Sequence, residues 1–502
     1  MNHTARSILV AGMDGIPVDI ECQLSNGLPT IVIVGLGSRA IDEAKERIRS
    51  AFASTKLALP RKRITINLAP ADVRKESTSF DLAIAAAIIC SCSNKLSIDP
   101  STAIIGEVGL SGLVRPVRGI IGKLIAGKRL GFKKFFIPYG NLEQAALVPG
   151  VTLFAVKDLK QFYQSLQQPH PAAATNPAPK ITMPSNDDQP SLSDITGQEH
   201  AKRAIAIAAA GGHNILLYGP PGTGKSMLAK ALPGLLPPLS HQEMLEVTHL
   251  HSLASQRYDR LITSRPFRAP HHSSSSAAII GGGPNTSPGE LSLSHRGVFF
   301  MDELPEFDRR AIEALRQPLE DRTVTVTRLK QTINYPANFI LAATANPCPC
   351  GFYGSRKECS CTPSELARYQ RKLSGPLLDR IDLFVCMELT NHALLLSPQV
   401  NAMQTIRTQI VQTRTIQQRR FGDECSLNAS MSNAQIKTNA RLSKEATAML
   451  NVAAEKLELS PRAYMRTIRV SRTIADLENS KMILAPHIAE SLQYRKVRFT
   501  HR

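Results

Sequence analysis
Apolar residues along the chain recur with two periods, and the period changes where the chain changes character. In residues 1–165, short runs of β type (31–34, 63–67, 135–137, 151–156) alternate with stretches of helical spacing (41–54, 82–90, 121–131). That alternation predicts one α/β domain. Residues 166–190 lose the periodicity and fill with Pro, Ala, Asn and Gln, the composition of an extended linker. Apolar strands return in residues 191–392, separated by helical stretches and glycine-rich turns, which predicts a second α/β domain. From 393 to 502 the spacing is helical (407–420, 444–457, 464–478, 486–494), as expected of a small helical lid. The longest apolar run, 82–90, is too short to cross a bilayer. The first residues lack the basic-then-apolar order of an export signal, so a cytoplasmic location without membrane contact is expected.

The second α/β domain carries the clearest chemistry. Its first strand leads into Gly219, Pro220, Pro221, Gly222, Thr223, Gly224, Lys225 and Ser226, which fit G-x-x-x-x-G-K-[ST]. Glycines let backbone N–H groups turn inward onto phosphates. Lys225 reaches the outer phosphates, the Ser226 hydroxyl reaches Mg²⁺, and the following helix adds its positive end. A nucleoside triphosphate with Mg²⁺ is the expected ligand. Such a site needs an acidic element on a neighbouring strand, and the apolar run 297–301 ends in Asp302 and Glu303. Asp302 is expected in the Mg²⁺ shell, and Glu303 to orient and polarise the attacking water. A third apolar run ends at Asn346, which could hold the lytic water or sense the γ-phosphate, or else merely cap its strand. Arg380 suits a guanidinium supplied to the γ-phosphate in trans by a neighbouring subunit, and Arg462 one that closes over the nucleotide. For each, a surface ion pair is the alternative.

Charge and cysteine extend the picture beyond the nucleotide. Sixty Lys and Arg against 41 Asp and Glu leave a net charge of +19, which favours a polyanionic partner through phosphate contacts and counterion release. Arg39, Lys45, Arg47, Arg49, Lys56, Arg61, Lys62, Arg63, Arg74 and Lys75 crowd one span, either to meet DNA or as a solvated face. Residues 323–327 and 332–335 could pair as a hairpin with Arg328 and Lys330 at its tip, placed to push on a phosphate backbone or to face solvent. Cys348, Cys350, Cys359 and Cys361 form two C-x-C pairs able to close a tetrahedral Zn²⁺ site, free thiols being the alternative. A disulfide framework is not expected in a chain without an export signal.

The order of phosphate loop, Asp-Glu strand, Asn346, Leu377-Leu-Asp-Arg-Ile-Asp382 and Ser460-Pro-Arg462 resembles an AAA+ ATPase. The clade is that of magnesium chelatase subunits, MoxR proteins and MCM helicases. Within it the chain is similar to the ComM/YifB family, through Gly35-Leu-Gly-Ser, Phe80-Asp-Leu, Gly106-Glu-Val-Gly-Leu-Ser-Gly, Ala269-Pro-His-His-Ser, Ile280-Gly-Gly-Gly, Pro288-Gly-Glu and Arg472-Thr-Ile-Ala-Asp-Leu477. The resemblance implies an AAA+ core with a clade-specific insertion and a hexameric ring. The activity it implies is DNA branch migration in homologous recombination and natural transformation. The wider clade leaves a second reading, a chaperone ATPase that remodels a protein or a metal-inserting complex.

Residues 63–140 also resemble the proteolytic domain of Lon, of the S5 domain 2-like type, and the matching domain of the recombination protein RadA. Lon works through a Ser nucleophile and a Lys base. Laid on Lon's nucleophile motif, residues 75–81 put Ser79 at the nucleophile, with Phe80 and Asp81 in place of small residues. Laid on the next motif, residues 106–112 put Ile121 where the Lys belongs, and Lys123 comes two positions late. Ser79 is thus left without an aligned base, and a rigid basic platform is expected rather than a protease.

Overall fold
The computed structural model describes residues 4–495 other than 36–38, 74, 76, 94–95, 169–171, 175–189, 191, 255–260, 284–285, 329–330, 354–356, 373–374, 390–402 and 424–425. Contacts divide the chain into two compact units, Met1–Thr182 with His241–Ile262, and Met183–Ser240 with Thr263–Arg502. The architecture is mixed α/β with a helical C-terminus, as the alternating runs predict.

The first unit opens on a hairpin that the apolar pattern did not announce. Thr4–Ala11 pairs antiparallel with Asp14–Ser25, Ala11 opposite Asp14. Arg63–Ala69 lies antiparallel beside the second strand, and Thr30–Val34 joins it in parallel after a crossover through the helix Arg39–Ser54. The helix Asp81–Ser91 is buried from Asp81 to Cys90 and apolar all round, so it serves as core rather than as an amphipathic surface element. A second, parallel sheet orders Thr102–Ile104, Lys134–Pro138 and Thr152–Val156. The helix Ile120–Arg129 carries the apolar cluster beneath it. Onto that helix packs His241–Ala254, which the chain reaches only after the phosphate loop. Most of 166–190, the expected linker, lies outside the described residues.

In the second unit five strands run parallel in the order Phe267–Arg268, Val298–Met301, Ile340–Ala345, Ile215–Tyr218, Leu383–Cys386. Burial on both faces explains why the central strands read as continuous apolar runs. The order corrects one expectation: the acidic strand is not the neighbour of the phosphate-loop strand, because the strand ending at Asn346 lies between them. Thr323–Arg328 and Gln331–Pro336 form the expected hairpin, with Arg328 opposite Gln331. Its tip residues Leu329 and Lys330, and the Arg328 side chain, lie outside the described residues. The C-terminal segment is helical, with Met403–Phe421, Lys444–Lys456, Pro461–Leu477 and Ala485–Gln493. Ser460 caps the third of these, accepting from the Ala463 N–H, with Pro461 in the first turn. Arg472 and Asp476, part of the motif near the C-terminus, are buried in an ion pair that Arg420 shares.

Candidate active site
The phosphate loop sits where the strand Ile215–Tyr218 gives way to the helix Lys225–Leu235. Gly219, at φ +154°, passes so close to the Met387 carbonyl that a Cβ would lie 2.2 Å from its oxygen. No other residue fits that approach. Lys225 is buried and donates to the carbonyls of Gly219 (2.8 Å) and Pro220 (2.7 Å). Burial lowers its pKa, against the opposing pull of Asp302 and Glu303.

Asp302 reaches the loop across the intervening strand. Ser226 Oγ donates to both of its carboxylate oxygens, at 2.9 and 3.1 Å. From that middle strand, Thr344 Oγ1 donates to Asp302 Oδ1 at 2.6 Å and accepts the Glu303 N–H at 2.8 Å. Glu303 holds φ at +55°, in the left-handed region that non-glycine residues avoid. Asn346 Nδ2 lies 3.5 Å from Glu303 Oε1. Lys225, Ser226, Asp302, Glu303 and Asn346 thus converge, and Thr344, which the sequence reading passed over, ties Asp302 and the Glu303 backbone to the strand that ends at Asn346. Its signal was a hydroxyl in an otherwise apolar strand, two positions before Asn346. The oxygens of Ser226 and Asp302 are hard donors suited to Mg²⁺.

Three family models cover this chain in series. "Subunit ChlI of Mg-chelatase" matches residues 20–141, "Magnesium chelatase, subunit ChlI" residues 191–395, and its C-terminal model residues 401–495. Competence protein ComM of Haemophilus influenzae is 40% identical over 486 residues, 95% of this chain and 94% of that one. The uncharacterized protein YifB of Escherichia coli is 38% identical over 502 residues, covering 99% and 96%. The chain belongs to the ComM/YifB family. As a member it is a magnesium chelatase-like AAA+ ATPase, whose nucleotide and cofactor are ATP and Mg²⁺. A shorter stretch of 94 residues is 39% identical to part of Lon protease 2 of Bacillus subtilis, 18% of this chain and 17% of that one.

The other residues singled out from the sequence fall elsewhere in this family fold. Arg380 and Arg462 meet on one carboxylate: Arg380 Nη2 bonds Glu320 Oε2, and Arg462 Nη2 donates to Glu320 Oε1 at 2.6 Å. Arg380 also donates to the Pro376 carbonyl at 2.7 Å. The two arginines hold Glu320 below the usual carboxylate range, Arg380 more strongly. Glu320 gave no signal in the sequence. The four cysteine sulfurs lie within 4.8 Å of one another, with Cys348 3.3 Å from Cys350 and 3.8 Å from Cys359, and Cys350 3.5 Å from Cys359. Zinc–sulfur bonds of about 2.3 Å set tetrahedral edges of about 3.8 Å, so four thiolates at these separations fit the ion. Gly351 of this knuckle packs on Pro221 of the phosphate loop, where a Cβ would come within 2.8 Å of the proline ring.

Two expectations for the first unit are corrected. Lys75 and Arg47 are not surface cations: the buried Lys75 ammonium bonds the Leu68 and Pro70 carbonyls. Arg47 makes a two-point ion pair with buried Asp81, at 2.8 and 3.0 Å. Ser79, expected to stand without an aligned base, nonetheless has a lysine beside it: Lys123 Nζ donates to its Oγ at 3.2 Å. The alignment counted positions, whereas the turn of the helix Ile120–Arg129 decides which side chain reaches the serine.

Proposed function
We propose that this chain is a ring-forming ATP-driven motor that moves DNA strands, migrating the branch points of recombination intermediates. The observation that carries the motor is the convergence of Ser226, Asp302, Glu303 and Asn346 beside Lys225, tied through Thr344. Lys225, now held on two loop carbonyls, is the cation that meets the outer phosphates. Glu303 polarises the attacking water while Asn346 fixes the orientation of its carboxylate. Ser226 and Asp302 would hold Mg²⁺, which when bound neutralises charge on the β- and γ-phosphates. Arg380 and Arg462, gathered on Glu320, form a basic group suited to a neighbouring subunit's γ-phosphate in a hexamer. The cysteine knuckle holds a structural Zn²⁺.

DNA as partner is supported by the net charge of +19 and by near full-length similarity to a protein named for competence. The test is ATP hydrolysis by the full chain with and without three-way and four-way DNA junctions, with junction movement followed on gels. Stimulation with movement is expected; no stimulation and no movement would refute it. The magnesium chelatase family models favour a second reading, a chaperone ATPase acting on a protein complex. Turnover indifferent to DNA, with an adaptor protein recovered in pull-downs, would favour that one.

A further inference from the structure
The first unit buries a second pair of groups with usable chemistry, independent of the nucleotide site. Lys123 Nζ donates to Ser79 Oγ at 3.2 Å, and Ser77 Oγ lies 2.7 Å from the same oxygen. Ser79 is 2% exposed and Lys123 8%. An ammonium has three protons to place, and Ser79 Oγ is the hydrogen-bond acceptor found for this one among the described residues. Burial therefore favours the neutral amine and brings Lys123 down to about 8. The ionisable groups packed around it are absorbed elsewhere. His249, on the helix facing Gly122, is pushed by burial to about 4 and is neutral. Asp81 is paired with Arg47, and Glu107 accepts from the Thr78 hydroxyl. Ser79 also stands at the start of the 11-residue helix Asp81–Ser91, whose positive end favours an oxyanion forming there.

We propose that Ser79 and Lys123 form a second catalytic centre, a nucleophile–base dyad that hydrolyses small carboxylic esters. Lys123 Nζ takes the Ser79 proton as Oγ bonds the acyl carbon; the ester C–O bond breaks and that proton leaves on the alcohol. Water then attacks the acyl-serine, its proton returns by way of Lys123 to Ser79 Oγ, and the carboxylic acid departs. With Ser79 2% exposed, the substrate expected is a small ester rather than a folded protein.

The full-length chain is treated with a short-chain alkyl fluorophosphonate, which bonds an activated serine as fluoride leaves, and is read by intact mass and peptide mapping. Hydrolysis of p-nitrophenyl acetate gives a second readout. One adduct is expected, on Ser79, forming faster as pH rises through about 8. The adduct should be absent and ester hydrolysis should fall by about 100-fold or more in Ser79→Ala, and both rates should fall that far in Lys123→Met, which keeps the apolar stem. No adduct on Ser79, or a rate that Lys123→Met leaves unchanged, would overturn the proposal. Should Lys123→Met fail to fold by circular dichroism, Ser79→Cys decides. Alkylation of that cysteine with a midpoint below the ordinary value of about 8.5 supports the dyad, and an ordinary midpoint overturns it.

Discussion
Thr344→Val removes a single hydroxyl from the centre of the nucleotide site. The side chain is 1% exposed and valine has its shape, so the packing of the strand is kept. What disappears is the 2.6 Å bond to Asp302 and the 2.8 Å anchor on the Glu303 N–H. A hydrogen bond to a carboxylate contributes about 1.5–3 kcal/mol. The second loss compounds the first, because the left-handed backbone of Glu303, at φ +55°, is a conformation that costs ~1–3 kcal/mol and persists only while its surroundings impose it. Without the anchor, Glu303 relaxes away from Asn346. If the hydrogen-bond contribution alone is lost from the transition state, turnover falls by about 10- to 150-fold. Nucleotide affinity should change far less, since Lys225 and the loop backbone are untouched. Steady-state phosphate release and fluorescent-nucleotide binding on the Val and Ser variants measure both. Wild-type turnover in Thr344→Val, or a loss that Thr344→Ser does not restore, would refute the reasoning.

Further tests address the remaining parts. Lys225→Ala should abolish hydrolysis, and Arg380→Ala should abolish it while nucleotide binding stays intact. Mixing those two variants should then recover part of the activity if Arg380 serves a neighbouring subunit, which a phosphate-release assay would show. Zinc content by mass spectrometry should be one ion per chain and should collapse in Cys359→Ser; because Gly351 braces Pro221, ATP affinity should weaken alongside. His249 titrates near 4 in the fold, through burial first and the charge of Arg129 second, against about 6.5 when unfolded. The unfolded chain therefore binds the extra proton between those values, and stability is lost as pH falls from 6.5 to 4, by up to about 3 kcal/mol. Melting curves of His249→Leu should lack that slope; an unchanged slope would assign the acid sensitivity elsewhere.

Much of the candidate nucleotide site was legible because its chemistry is local. Gly219 through Ser226 must be contiguous to wrap phosphates, and Asp302, Glu303 and Asn346 each end an apolar run that burial on both faces makes visible. What stayed hidden depends on the order in which strands assemble. Nothing in the runs themselves says that the strand of Asn346 separates the other two, so Thr344 drew no notice. The same holds for Glu320, an ordinary acidic residue until the fold carries Arg380 and Arg462 to it. Lys123 was visible but discounted, since an alignment offset of two residues looks like a miss on paper. Lys75 shows the opposite error: a cation within a basic run reads as surface, and only tertiary contacts reveal its carbonyl partners.

The helix His241–Ala254 has a practical consequence for anyone cutting this protein. The chain leaves the ATPase unit at His241 and returns to it after Ile262, so the two units alternate along the sequence. A clone beginning near residue 190 would strip the cover from Leu245, which lies among apolar side chains of the first unit. Such a fragment invites aggregation that could be mistaken for a dead enzyme, and a soluble ATPase fragment calls for replacing 241–262 with a short polar bridge as well.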